Sequence, residues 1–480
     1  MYLGIDLGTS GVKVVVTDSV DAVIAQASAP LTVSRPQPMW SEQDPADWWR
    51  AVDAAVLQID PALRRQVRGI GLSGQMHGAV LLDTADAVLR PAILWNDGRA
   101  QPQCAELERI EPRVAAITGN PVLAGFTAPK LLWVREQEPA VFAATRRVLL
   151  PKDYLRLLMT GSCWSDMSDA SGTLWLDVGA RRWSGAMLAA CGLDEAMMPG
   201  LGEGSAASAA LRAEVATAWG MARVPVAGGG GDNAAGAVGL GVTDPGDAFL
   251  SLGTSGVIFV VTDGFRPAPD RAVHAFAHAV PERWHRMSVM LSAASALDWA
   301  TRLLGLADVG SLLDLAATAD RRGVPVFLPY LSGERTPHAD PGATAALAGM
   351  TGDTGPAEIA QAAMEGVAMG LRDGLDALTS AGVEIGPLAM AGGGARSTSW
   401  GRIIAAALDR PLIWRAGGTV GPALGAARLG RVAAGDSDVA GLSVAPAVTA
   451  SVEPDASLAA AMAERQHRFR RLYPLAQRGG

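Results

Sequence analysis

The segment Leu7–Asp18, LGTSGVKVVVTD, recurs as Leu252–Asp263, LGTSGVIFVVTD, with ten of twelve positions identical at an offset of 245 residues. Each copy follows one short apolar segment and precedes another. The pattern predicts strand, Gly-Thr-Ser-Gly turn, strand: a β-hairpin. A second match supports the first. Ala234–Gly241, AAGAVGLG, and Ala423–Gly430, ALGAARLG, share five of eight positions, with small residues at helical spacing. Both segments predict helices that pack closely on a neighbour. The chain therefore reads as two halves of common ancestry, each opening with a hairpin and closing with a small-residue helix.

Between these landmarks, strand-like runs (VRGIGLSG, VPVFLPY, PLAMAGGG) alternate with helical stretches, one nearly filling Pro356–Leu378. This is an α/β pattern. The turn residues of TDPGD, Thr243–Asp247, place the boundary, giving domains 1–243 and 244–480. A chain of 480 residues exceeds one ordinary core, and two domains accommodate it. Abundant Gly and Ala with few aromatics fit close backbone packing.

Charge and cysteine content exclude several roles. The formal charge is −8, the lysines are only Lys13, Lys130 and Lys152, and no basic run occurs, which argues against a nucleic-acid partner. Cys104, Cys163 and Cys191 are far apart and odd in number. They fit a reducing cytoplasm better than a disulfide framework or a zinc site. The opening MYLGIDLGTSG lacks the pattern of a secretory leader, and no uncharged run suits a membrane span. The expected setting is cytoplasmic.

A Gly-Thr-Ser-Gly turn gathers backbone N–H groups and two hydroxyls and can cradle phosphates. Gly8, Thr9, Ser10 and Gly11 form one copy; Gly253, Thr254 and Ser255 lie in the other. Two such turns could close on one nucleotide. The sequence contains no G-x-x-x-x-G-K-[ST], no H-R-D with D-F-G, and no G-x-G-x-x-G opening the first βα unit. A third cluster, MAGGGARSTSW from Met390, predicts a strand end, a glycine turn and a helix capped by Ser397. Gly393 and Gly394 there would let a flat ligand approach the backbone. Asp232 ends four consecutive glycines and begins the AAGAVGLG helix. That placement suits either a helix cap or a catalytic carboxylate on a tight turn. In the repeat, Asp232 aligns with Gly421 and Asp6 with Ser251, so only one copy keeps each carboxylate.

These residues resemble the FGGY carbohydrate kinases of the actin-like ATPase superfamily. The resemblance covers nearly the whole chain. It runs through DLGTSGVK, SGQMHGAVLLD, LRPAILWNDGRA, GFTAPKLLWV, LLPKDYLRLLMTG, SDMSDASGTLWLDV and GGGDNAAGAVG. It continues through SLGTSGV, FLPYLSGERTPH, AGGGARS and VGPALGAARLG. The element GQMHG most resembles the branch that acts on D-xylulose. The resemblance implies two actin-like (ribonuclease H-like) domains and a deep interdomain cleft. It implies transfer of the ATP γ-phosphoryl group to D-xylulose with Mg2+, and a homodimer. It also implies site roles. Asp232 would be the catalytic base, its carboxylate kept ionised by the helix N-terminus. Asp6 would sit by the phosphates and hold magnesium through water. Met76 and His77 would contact the sugar; histidine can donate or accept, and methionine can shape an apolar edge. Asn233 suits either another sugar hydroxyl or a helix cap. The two turns would bind the phosphates, and Gly393 and Gly394 the adenosine.

Trp95, Asn96 and Asp97 suit either a pocket wall or packing, and Glu334–His338 either the cleft or a brace between domains. Asp44 followed by Pro45 predicts a helix start, with Trp48 and Trp49 as packing residues. One departure stands out: Ala345–Thr351, AALAGMT, lacks the aromatic that family members carry there. Three rival readings arise: a sister kinase for another ketopentose, polyol or sugar acid; an actin-like ATPase without a sugar; and a sugar sensor that has lost catalysis, against which retention of both Asp6 and Asp232 argues. GQMHG has no role in the second.

Overall fold

The computed structural model describes residues 1–380 and 382–477. Both repeats form the predicted hairpins. In the first half, β1 (Tyr2–Leu7) pairs antiparallel with β2 (Gly11–Thr17), and β2 with β3 (Val23–Pro30). Strand β4 (Gly69–Gly74) runs parallel to β1. The sheet is completed by β5 (Ala207–Ala210), β6 (Pro225–Ala227) and β7 (Gly230–Gly231), in the order β5-β6-β4-β1-β2-β3 with β7 also on β4. The second half repeats the plan. Strand β8 (Ala248–Leu252) pairs antiparallel with β9 (Gly256–Thr262) and parallel with β12 (Leu388–Ala391). With β10 (His274–Ala277), β11 (Trp284–Met290), β13 (Leu412–Arg415) and β14 (Val448–Val452), the order is β10-β11-β9-β8-β12-β13-β14. The central run of strands is the same in both sheets, in order and in sense, as duplication requires.

Helices cover both faces. Helix α1 (Pro45–Leu57) starts where expected: the Asp44 carboxylate accepts the Ala46 N–H at 2.9 Å, with Pro45 in the first turn. Its apolar stripe includes Trp48, Val52 and Val56, packed on Ile5, Val12 and Val14. Trp48 is fully buried and Trp49 stacks on Trp219, so both are packing residues. Helix α2 (Pro151–Thr160) lies beside β4, and α3 (Asp232–Leu240) closes the first half. In the second half, α4 (Ala294–Leu303), α5 (Pro356–Thr379) and α6 (Thr398–Leu408) build one core with Leu250, Ile258 and Val260. The Ser397 hydroxyl caps α6 through the Trp400 N–H, as its sequence predicts. The aromatic-poor AALAGMT supplies Ala346–Ala348, which pairs with Val326–Leu328 and sets Leu347 opposite Phe327.

Helix α7 (Gly421–Ala433) closes the second half but lies across the first half's sheet. Ala423, Leu424 and Ala427 pack on Tyr2 and Val15. A Cβ on Gly71 would stand 1.8 Å from the Ala426 carbonyl oxygen, so that strand position admits only glycine. Helix α3 reciprocates. Its Ala237 and Leu240 share an apolar cluster with Phe249, Phe259 and Val261 of the second sheet. The two helices cross in backbone contact, where a Cβ on Gly425 would stand 1.8 Å from the Ala235 carbonyl oxygen. The TDPGD link is a turn in which the Asp247 carboxylate accepts the N–H groups of Thr243 and Asp244. No helix among the described residues is long and apolar enough to cross a membrane.

Candidate active site

Strands β1, β4 and β7 are parallel, and their carboxyl ends meet at one edge of the first sheet. Asp6 stands opposite Ser73 in β4, and Gly230 of β7 stands opposite the same serine. Asp6 and Asp232 therefore emerge together, where open α/β sheets bind ligands. The Ser73 hydroxyl donates to Asp6 Oδ1 at 3.0 Å. Burial raises the Asp6 pKa against the pull of that bond and of Lys13.

Asp232 is reached through a built turn. Gly229 has φ +79°, and a Cβ there would stand 2.2 Å from the Leu72 carbonyl oxygen, so glycine is required. The Gly231 N–H donates to the Ser168 hydroxyl at 3.1 Å, and that hydroxyl donates to the Asp166 carboxylate. Behind it the buried Lys152 ammonium pairs with Asp153 and with Asp166. Asp232 Oδ1 accepts the backbone N–H and side-chain amide of Asn233 at 2.8 and 2.9 Å. Among the described residues, Oδ2 has no partner. The sequence led us to expect a carboxylate held ionised by the helix N-terminus. Instead, burial first and the Asp6 charge second push its pKa up to about 7, against the Asn233 bonds. Desolvation beside a like charge outweighs a helix end whose nearest N–H groups are already shared.

Met76 and His77 form the adjoining wall. His77 takes φ +69°, held there by two donors to its carbonyl oxygen, Lys130 Nζ at 2.9 Å and Thr127 Oγ1 at 3.1 Å. Its Nδ1 lies 2.7 Å from the Gly172 carbonyl oxygen. A carbonyl only accepts, so Nδ1 carries the proton. Burial pushes the His77 pKa down to about 3. The ring is neutral at pH 7 and Nε2 keeps a lone pair for a hydroxyl donor.

The facing wall comes from the second half. Met76, His77, Trp95, Asp232 and Asn233 line a cavity of about 250 Å3 together with Ser251, Gly253 and Ser255. The second turn is anchored to the start of α4: the Thr254 carbonyl accepts the Ala293 N–H and the Gly253 carbonyl the Ala294 N–H. The first turn differs in one respect. The Thr9 hydroxyl donates to Gln75 and accepts the Trp95 indole N–H at 2.9 Å. What that turn retains for a phosphate is the backbone near Ser10 and the exposed Ser10 hydroxyl; the Gly8 N–H closes the turn onto Gly11. Gly392–Gly394 follow β12, which pairs with β8, so this cluster adjoins the second turn. A Cβ on Gly393 would meet nothing within 4 Å, which leaves open space above the turn, and the cluster lies outside the 250 Å3 cavity.

The undecided motifs separate. Trp95 lines the cavity, whereas Asp97 is buried, accepting the Ser41 N–H and pairing with Arg99. Glu334 accepts the N–H groups of Leu291 and Arg335, and Thr336 exchanges bonds with Val289, so both brace the loop. Arg335 between them lines the cavity, as does His274 on β10. The sequence reading left Arg335 open and missed His274, which carried no motif.

Comparison with known proteins shows the family. Residues 1–239 match the N-terminal domain of the FGGY family of carbohydrate kinases, and residues 248–434 its C-terminal domain. A xylulose kinase of Escherichia coli (strain K12) is 54% identical over 476 residues, 98% of each chain. The crystal structure of a xyloylose kinase from Brucella ovis superposes with a TM-score of 0.95 at 50% identity, covering 99% of both chains. A xylulose kinase from Rhodospirillum rubrum superposes at 0.91 with 30% identity, covering 99% of this chain and 98% of that one. With both family domains matched in order over two copies of one sheet, the chain belongs to the FGGY family of carbohydrate kinases.

Proposed function

We propose that the protein transfers the γ-phosphoryl group of ATP to D-xylulose, giving D-xylulose 5-phosphate and ADP. One observation carries the reading: Asp232, whose Oδ2 has no partner among the described residues, opens into a small cavity whose opposite wall is the second Gly-Thr-Ser-Gly turn. Its size suits a small sugar, leaving the nucleotide outside against the turns. The sugar names carried by the full-length relatives add the acceptor.

The sugar lies against Met76, with hydroxyl groups on His77 Nε2 and Asn233. Asp232 Oδ2 takes the proton of the attacking hydroxyl as its oxygen bonds to phosphorus and the bond to the ADP oxygen breaks. A base with pKa near 7 is half ionised at neutral pH and still basic enough to accept that proton. Phosphates lie between Gly8–Gly11 and Gly253–Ser255, and adenosine against Gly393 and Gly394. Magnesium, when bound, supplies positive charge opposite the phosphates. Asp6 would hold it through water, and the oxygen-only donors at this edge suit a hard cation that keeps its waters. Residues 1–243 would carry the acceptor and base, and 244–480 the nucleotide. The unpaired cysteines fit a cytoplasmic setting, and a homodimer is the expected assembly.

The test is ADP release with Mg-ATP against D-xylulose, L-ribulose, D-ribulose, glycerol, gluconate and no sugar. Turnover on D-xylulose above the others, lost in Asp232→Ala, is expected. Turnover on another acceptor would replace the substrate, and release indifferent to sugar would sink the kinase reading.

A further inference from the structure

Arg335 is the one cation on the cavity wall, and among the described residues its guanidinium donates no hydrogen bond. Its neighbours are fastened on both sides. Glu334 is buried and its Oε1 accepts the Leu291 N–H at 2.9 Å and the Arg335 N–H at 2.7 Å. The Thr336 hydroxyl donates to the Ala272 carbonyl at 2.8 Å and accepts the Val289 N–H at 3.0 Å. The loop is thus stitched to the end of β11, and the Arg335 backbone is fixed. The Glu334 charge offsets part of the cost of burying it, but among the described residues no carboxylate bonds its forked N–H groups, which leaves them for a ligand.

Its place in the cavity says which part of a ligand it meets. Thr336 is bonded to Val289, and Met287, two residues back on the same strand, pairs with His274, so Arg335 stands beside His274; its charge bears on His77 and on His274. Arg335 therefore lines the β10–β11 end of the cavity, while Asp232 enters it from the edge of the first sheet. His274 completes that end. Its Nδ1 donates to Asn120 Oδ1 at 3.0 Å, because the Asn120 amide nitrogen is spent on the Thr118 and Ala275 carbonyls. His274 Nε2 is buried and has no partner among the described residues. A sugar whose reacting hydroxyl sits on Asp232 presents its opposite end here. In an acyclic ketose phosphorylated at its terminal hydroxyl, that end is a carbonyl beside a hydroxymethyl group. Two neighbouring oxygens match the forked donors of a guanidinium.

We infer that Arg335 is a specificity-determining residue that donates to the carbonyl and adjacent hydroxyl oxygens of the acceptor, selecting ketoses over polyols. The inference rests on the function proposed above. It also makes the acceptor bridge the molecule, since Asp232 and His77 belong to the first half and Arg335 to the second.

The experiment measures kcat and KM for D-xylulose, for the matching polyols xylitol and D-arabinitol, and for ATP, in the parent, Arg335→Gln and Arg335→Lys. The expected result for Arg335→Gln is a D-xylulose KM raised about tenfold to a hundredfold, the size of a lost charged hydrogen bond. Its ATP KM should be unchanged, and its preference for ketose over polyol should collapse. Arg335→Lys, which keeps the charge but not the fork, should recover part of the KM. Calorimetric titration of D-xylulose into each variant without nucleotide should show the same order. An Arg335→Gln enzyme with unaltered D-xylulose KM and selectivity, or one altered only toward ATP, overturns the assignment while leaving the kinase reading intact. A parent that ignores D-xylulose overturns that reading and the inference with it.

Discussion

At the scale of single residues, the site rests on a carboxyl group poised by its surroundings. Asp232 has a pKa near 7 in the fold, against 3.8 for the free group, because of burial and the Asp6 charge. The native state therefore holds a proton that the unfolded chain releases as pH rises past about 4, and stability from this group falls until pH passes about 7. Asp232→Asn cannot release that proton and can still accept the Asn233 N–H. Relative to the parent it should gain stability from pH 5 to pH 8, on the order of 2–4 kcal/mol in total. Its kcat should drop by about 10²–10⁴-fold. Thermal midpoints across pH without metal or nucleotide test the first part, and parallel pH curves for the two proteins would refute it. The carboxylates were legible in the sequence because the repeat supplied its own control: Gly421 and Ser251 stand where Asp232 and Asp6 stand. The ionisation state of Asp232 was not legible, since it depends on Asp6, a strand 226 positions away in the chain. Arg335 was visible only as part of a charged turn. Which of Glu334, Arg335 and Thr336 faces the cavity is decided by β11 and Ala272, and nothing local to SGERTPH specifies it.

At the scale of elements, strands and hairpins followed their apolar runs closely, because a strand buried on both faces is written in its own residues. The partner of a helix is not. AAGAVGLG and ALGAARLG announced close packing, but each could equally have lain on its own half's sheet. The structure puts α7 on the other half's sheet and crosses it with α3 at Gly425. Gly425→Ala tests that contact. Alanine is the better helix former by about 1 kcal/mol, so an exposed site would gain stability. Here the new methyl would stand 1.8 Å from a carbonyl oxygen of α3 and force the helices apart. A net loss of about 2 kcal/mol or more is expected from overpacking. Denaturant unfolding would measure it, and a neutral or stabilising result would mean that the helices part without cost. Because α3 begins at Asp232, the same substitution should also lower kcat while leaving the cavity's other residues in place.

At the scale of the whole molecule, the exchange of closing helices changes what a domain boundary means. Residues 1–243 contain a full sheet, its hairpin and both carboxylates, and by sequence they read as a separable unit. Yet one face of β1 and β4 is covered by α7, residues 421–433. Without that helix, Tyr2, Val15 and the glycine-lined backbone of Gly4 and Gly71 would meet water, and α3 would lose the crossing partner that orients Asp232. Burial of that face is worth several kcal/mol at about 25 cal/mol per Å2, comparable with the net stability of a domain. A fragment of residues 1–243 should therefore fail to unfold cooperatively or should aggregate, although its core in α1 and β1–β4 is intact. Adding residues 244–480 as a second chain should restore a cooperative transition and D-xylulose-dependent ADP release, because α7 would then be supplied in trans. If 1–243 alone proved monomeric, cooperative and able to bind D-xylulose, the crossing helices would be a linkage between finished domains. If only the reunited halves work, folding and the placement of Asp232 are one event, and the chain cannot build its acceptor site before its last third has been made.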